Sequence, residues 1–145
     1  MYKEVGHKDS KGKQGLWKYY DGKYLRIEVT FLDDKEEGKW KRYFNSGKLA
    51  LIIDFKDGVK DGAREEFYDN GFVKERGRYE KGNYYIIDFF SKDGTQTLKN
   101  GTGTRIEKFG YNDNDVYEQY FENGKMISEK KISSAFYTDF KKKPD

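Results

Sequence analysis

Apolar and polar residues alternate in short runs along most of this chain, as in KYLRIEVTF (23–31), KLALIIDF (48–55) and FVKERGRY (72–79). Successive side chains of a strand point to opposite faces, so period-two runs predict half-buried β-strands. No long stretch keeps the 3.6-residue period of a helix. The one exception is terminal. Ser134 stands as a cap before AFYTDFKKK, which reads either as one or two helical turns or as a frayed basic tail.

Turn residues separate the runs, and they recur. Gly15, Gly38 and Gly62 head three successive units, 23 and 24 residues apart, and Phe31, Phe55 and Tyr79 close them at intervals of 24. Segment 115–132 restores the pattern, with Tyr120 and Gly124 each 53 residues beyond Phe67 and Gly71. Residues 84–101 read as an altered unit, and 100–115 as an extra strand with a loop. Regular self-similarity of this kind marks an array of one supersecondary element. Here the element is a β-hairpin. Asn70-Gly71, Asn123-Gly124 and Ser46-Gly47 each sit between strand-like runs, and Asn-Gly suits a two-residue loop in which both residues need positive φ. In the first unit Asp21-Gly22-Lys23 predicts a three-residue loop, while Asp57-Gly58 and Lys81-Gly82 predict return turns. The expected fold is all-β: an elongated single-layer antiparallel meander of about five stacked β-hairpins, or about eleven strands.

Two-residue loops would set Phe44 opposite Leu49, Arg42 opposite Leu51 and Trp40 opposite Ile53. A core face then carries Trp17, Tyr19, Leu25, Ile27, Val29 and Phe31, next Trp40, Phe44, Leu49, Leu51, Ile53 and Phe55, and later Tyr117, Phe121, Met126 and Ile132. The other face carries Arg26, Glu28, Lys39, Lys41, Asp54, Lys74 and Arg78, as a solvated face does. One aromatic per unit breaks that polarity: Tyr20, Tyr43, Phe67 and Tyr120. Hairpins repeat every two strand spacings, so these rings should form a column with a period of about 10 Å.

Composition makes this core thin. Only 34% of the 145 residues are hydrophobic and 38% are charged, but 13 Tyr, 11 Phe and 2 Trp supply bulk. Each such ring buries roughly 150–250 Å². Several chemistries drop out. Without Cys there is no disulfide, thiol nucleophile or thiolate metal site. A single histidine, His7, argues against multi-His zinc sites and a Ser-His-Asp triad. Glu65 and Glu66 point to opposite faces and cannot converge on one bond, as acid–base catalysis needs. Asn112–Asp115 with Glu118 lacks the glycine and spacing of a calcium loop. Asn100-Gly101-Thr102-Gly103 reads as a turn rather than a phosphate cradle. The formal charge of +3 is spread along the chain, and Glu28, Asp54, Glu65 and Glu118 interrupt any basic stripe, so no nucleic-acid partner is expected. No apolar run approaches the roughly 20 residues of a membrane span, and residues 1–15 hold no apolar signal segment. The expectation is a cytoplasmic, non-enzymatic protein without cofactor or metal. The mature part of an envelope protein is the alternative.

The pattern G-x-W-x-x-Y-F/Y-x-N/S-G-K-L…F-x-x-G-x-x-x-G resembles MORN repeats, and most closely their bacterial variant. The resemblance covers about 15–82 and 115–132. Ala63 and Arg64 depart from it where the Trp strand should stand, as do Ile86 where a Gly is expected and the insertion at Gly110–Asn114. The resemblance implies a stacked-hairpin ribbon used as a binding surface or spacer, and for many bacterial members an antitoxin or immunity role.

The predicted partner-binding residues are Tyr20, Tyr43, Phe67 and Tyr120, with Lys41 and Tyr24. Tyrosine offers large contact area at low entropy cost. The competing reading is that sheet curvature or segment 136–140 covers the rings. A protein partner, such as a toxin, is favoured over an envelope-associated role binding glycan or lipid. The open sheet edges leave room for a strand-paired dimer. Residues 1–14 read as an N-terminal segment, 15–133 as the repeat domain, and 134–145 as a tail or capping helix.

Overall fold

The computed structural model describes residues 1–109 and 115–132. The terminal helix candidate, segment 136–140 and the 110–114 insertion, including most of the calcium-like loop, lie outside the described residues. Among the described residues twelve strands run in order: β1 (Tyr2–Asp9), β2 (Gly12–Asp21), β3 (Tyr24–Leu32), β4 (Lys35–Tyr43), β5 (Leu49–Lys56), β6 (Val59–Phe67), β7 (Val73–Glu80), β8 (Asn83–Phe90), β9 (Gln96–Lys99), β10 (Thr102–Phe109), β11 (Asp115–Glu122) and β12 (Lys125–Ile132). Each pairs antiparallel with the next in one open sheet. There is no helix among the described residues. The segment before Gly15 is itself structured, supplying β1 and the start of β2.

The repeat has a clear physical cause. Gly15, Gly38 and Gly62 sit at φ 67°, 84° and 108°, a region L-residues avoid. Within their own hairpins they lie opposite Phe31, Phe55 and Tyr79, the rings that close each unit. Toward the preceding strand the ladder slips, between Val5 and His7, Val29 and Phe31, and Ile53 and Phe55. Each head glycine therefore belongs to a bulge, and bulges bend and twist a sheet.

The strand interiors pair as the sequence implies, Arg42 with Leu51 and Trp40 with Ile53. The tips do not. Gly71 N–H donates to Tyr68 O (3.0 Å) and Tyr68 N–H to Phe72 O (2.8 Å), closing a three-residue loop, Asp69-Asn70-Gly71. Asn70 does not take positive φ. Its side-chain oxygen accepts from Phe72 N–H at 3.0 Å, and Gly71 alone goes left-handed. The tip at Asn45-Ser46-Gly47 is built the same way, whereas Gly22-Lys23 is a two-residue loop rather than the expected three.

These tips move the pairing by one residue, and a bulge restores it. Tyr20, Tyr43 and Phe67 thus lie opposite Leu25, Leu49 and Val73, with Arg26, Ala50 and Lys74 left extra. Leu25 and Leu49 consequently leave the core face to which alternation assigns them. The extra residues turn inward: Ala50 is buried and Lys74 reaches Glu66 and Glu107. Ile132 likewise pairs with Val116 on the outer face, and Met126, although opposite Phe121, is 53% exposed on the edge strand.

Two rows of cross-strand neighbours make the inner face. One runs Trp17–Val29–Trp40–Ile53–Arg64–Gly77–Ile86. The other runs Tyr19–Ile27–Arg42–Leu51–Glu66–Glu75–Phe89–Leu98–Gly103–Phe121. The first is apolar up to Arg64 in β6, the second carries Arg42 in β4 and then Glu66 and Glu75 in β6–β7, and both end apolar around the buried cluster Ile86, Phe89, Leu98 and Phe121. The end of the sheet rolls inward. A bulge leaves Ile87 without a ladder partner, and the β11–β12 turn docks there. Ile86 N–H donates to Gly124 O (3.1 Å), Gly124 N–H to Gly101 O (2.9 Å) and Gly101 N–H to Ile87 O (2.8 Å).

Candidate binding site

Tyr20, Tyr43 and Phe67 hold the same place in three successive hairpins, each half-buried on the outer face against an aliphatic neighbour. Burial and the charge of Glu28 push the Tyr43 phenol above its ordinary pKa. Glu28 is also 3.7 Å from Lys18, and Lys41 stands opposite it in the ladder. Lys41 therefore flanks Tyr43. Other outer-face cations are paired as well: Lys39 with Asp54 (2.9 Å) and Arg76 with Glu65 (2.7 Å).

The column has three members, not four. Tyr120 is on the outer face but opposite Thr104 and Ser128, far along the sheet, and its hydroxyl donates to Glu122 at 3.2 Å. That hairpin closes in a two-residue loop, Asn123-Gly124, so the place next to its bulge falls on Phe121 rather than Tyr120, and Phe121 is buried in the core. Tyr24, opposite Asp21 and 43% exposed, belongs to the other face, with Lys23 over its ring.

Along the tips of β4–β5 and β6–β7 the surface opens into two adjoining depressions of about 510 and 340 Å³. Tyr43 and Phe44 line the first, Phe67 and Tyr68 the second, and Arg42, Phe44 and Asp69 line both. Arg26, Lys74 and Lys92 complete the basic lining, against Asp69 and Glu66. The tips brace one another. Lys92 Nζ is 2.8 Å from Asp69, Lys48 Nζ donates to Asp69 O (3.3 Å), and Arg26 bonds Asn45. Phe44, Tyr68 and an excess of cations thus face one groove on the inner side of a braced frame, and Tyr43 and Phe67 reach it from the outer face.

The second polar cluster is internal. Glu75 is 2% exposed. It accepts from Arg64 (3.0 Å), Arg105 (2.7 Å) and the Tyr84 hydroxyl (2.6 Å). Arg64 also binds Glu66 (2.8 Å), while Arg105 donates twice to Gln119, whose amide donates to Glu129 (2.6 Å). Burial and then the Glu75 charge push the Tyr84 phenol well above the tyrosine range, so it stays a donor. Every acceptor here is occupied, and no buried side-chain polar atom lacks a partner among the described residues. The cluster ties β6–β7 to β10–β12. Sequence reasoning missed it, although its signal was present: Arg64 stands where the first two units carry Trp17 and Trp40.

Glu65 and Glu66 do point apart, to Arg76 and Arg64. Among the described residues no group of three or more His, Asp or Glu is placed to hold a metal ion, and no helix is long and apolar enough to cross a membrane.

The family described as the MORN repeat variant matches residues 36–57 and 116–131, the β4–β5 and β11–β12 hairpins. These two hairpins are similar to MORN-type repeats, which generally serve as protein- or membrane-binding modules. No curated protein and no solved structure matches the chain.

Proposed function

We propose that this protein is a recognition module that grips an acidic segment of a partner protein in the groove at the β4–β7 tips. In this reading the partner is a toxin, neutralised in the cytoplasm in the manner of bacterial MORN-type antitoxin or immunity proteins. The groove carries the reading. Phe44 and Tyr68, with Tyr43 and Phe67 at its outer margin, give rigid contact area, and four cations, Arg26, Arg42, Lys74 and Lys92, outnumber Glu66 and Asp69. Protein interfaces concentrate aromatics and arginine in this way, and charge complementarity selects the partner.

Capture from cells of the native host tests it, comparing the parent chain with Tyr43→Ala/Phe67→Ala and with Tyr120→Ala. Aromatic anchors cost about 2 kcal/mol or more each, about 4 kcal/mol for two, so the double variant should hold its partner roughly 1,000-fold more weakly. Tyr120→Ala should match the parent. Equal retention by all three proteins contradicts the groove. Capture of cell-wall glycan or anionic lipid vesicles without a protein decides for the envelope-associated alternative.

A further inference from the structure

Among the described residues β1 is the outermost strand of the sheet and pairs with β2 alone, so half of its backbone N–H and C=O groups face outward. All eight of its residues are exposed. An edge of this length invites another strand unless its side chains forbid it. Those of β1 do not. They are self-complementary.

We propose that β1 pairs antiparallel with β1 of a second copy of this chain, about a two-fold axis at Gly6, continuing the sheet from one molecule into the next. In this register Glu4 lies opposite the partner's Lys8, and Lys3 opposite the partner's Asp9. Symmetry repeats each pair, giving four opposite-charge contacts. Val5 meets the partner's His7. The two sets lie on different faces: Glu4 and Lys8 stand opposite Tyr19 and Lys13, while Lys3 stands opposite Tyr20. Neighbouring registers lose this match. An axis at Val5 sets Lys3 against His7 and Lys8 against Tyr2. An axis between Val5 and Gly6 sets Lys3 against Lys8. At the axis itself Gly6 has no side chain, and the Trp17 ring fills the space its Cβ would take. The joint lies at the first strand, away from the groove between β4 and β7, so both can be occupied together.

Sedimentation of the full chain over a micromolar-to-millimolar series tests the pairing. The parent should show a monomer–dimer equilibrium. Glu4→Lys turns two attractive cross-strand contacts into repulsive ones and should weaken the dimer about tenfold. Adding Lys8→Glu should restore it. Glu4 also bonds Lys13 at 3.1 Å, so Lys3→Glu and Lys3→Glu/Asp9→Lys repeat the test on the other face, and this set decides if Glu4→Lys does not fold. A monomer throughout, a dimer indifferent to the single reversals, or failure of both double variants to recover overturns the proposal.

Discussion

Glu75→Ala should cost about 3–5 kcal/mol, the range for removing one partner of a buried ion pair. The carboxylate is shared by Arg64, Arg105 and the Tyr84 hydroxyl, so its loss leaves two guanidinium groups facing each other across a nearly water-free space. A domain of this size has about 5–15 kcal/mol in total, and such a change takes a large share of it. The loss should also be local. Arg64 and Glu75 belong to β6–β7, and Arg105 to β10. Both tryptophans, Trp17 and Trp40, lie in β2 and β4. In a urea titration the circular-dichroism transition of the variant should move ahead of the tryptophan-fluorescence transition, because the C-terminal half opens first. Glu75→Gln keeps the shape and part of the hydrogen bonding, and should lose less. Coincident transitions at the parent midpoint would mean that the cluster holds nothing together.

Trp17→Ala should cost a similar amount, about 3–5 kcal/mol, by a different route. Trp17 is 4% exposed. Its indole N–H donates to His7 O (3.2 Å), its ring meets Phe31 edge-on at 6.2 Å, and Lys13 Nζ sits 4.4 Å from its centroid. Lys13 in turn donates to the Tyr19 hydroxyl (2.7 Å) and to Glu4 (3.1 Å), and the Tyr19 bond is the main reason its pKa is raised. The ring also covers Gly6, where an added Cβ would run into it. Alanine therefore removes the packing that holds β1 on β2. Amide exchange should accelerate first in β1 and then in β2, leaving β6–β8 protected. Trp40→Ala, at a half-buried ring, should cost less. Uniform acceleration along the chain would contradict the local role of Trp17.

Much of this architecture was legible from spacing alone. The head glycines and closing rings had to coincide because they are cross-strand neighbours within each hairpin, as Gly38 and Phe55 are. Strand interiors such as Trp40–Ile53 obey simple alternation. Two tips escaped because Asn70 spends its side chain on Phe72 N–H instead of adopting positive φ, and a loop one residue longer than expected before Leu49, or one shorter before Leu25, reverses the face of each. Three of the four column aromatics came together since they share that offset. Tyr120 did not, because its hairpin closes in the two-residue loop Asn123-Gly124, which puts Phe121 in that place. Tyr24, one residue from Leu25, faces the other way for the same reason. The Glu75 cluster was out of reach for a local pattern. Arg105 lies 30 residues from Glu75, and only the rolled end of the sheet brings them together.

That rolled end separates this account from a flat meander, in which β7 and β10 would stand three strand spacings, about 14 Å, apart. Nuclear Overhauser spectra of the labelled chain decide between them. The account predicts cross-peaks from the Arg105 side chain to Glu75 and the Tyr84 ring, and from the Gly124 amide to Gly101 and Ile86. Spectra showing only sequential-strand contacts, with none linking β7 to β10 or the β11–β12 turn to β8, would contradict it.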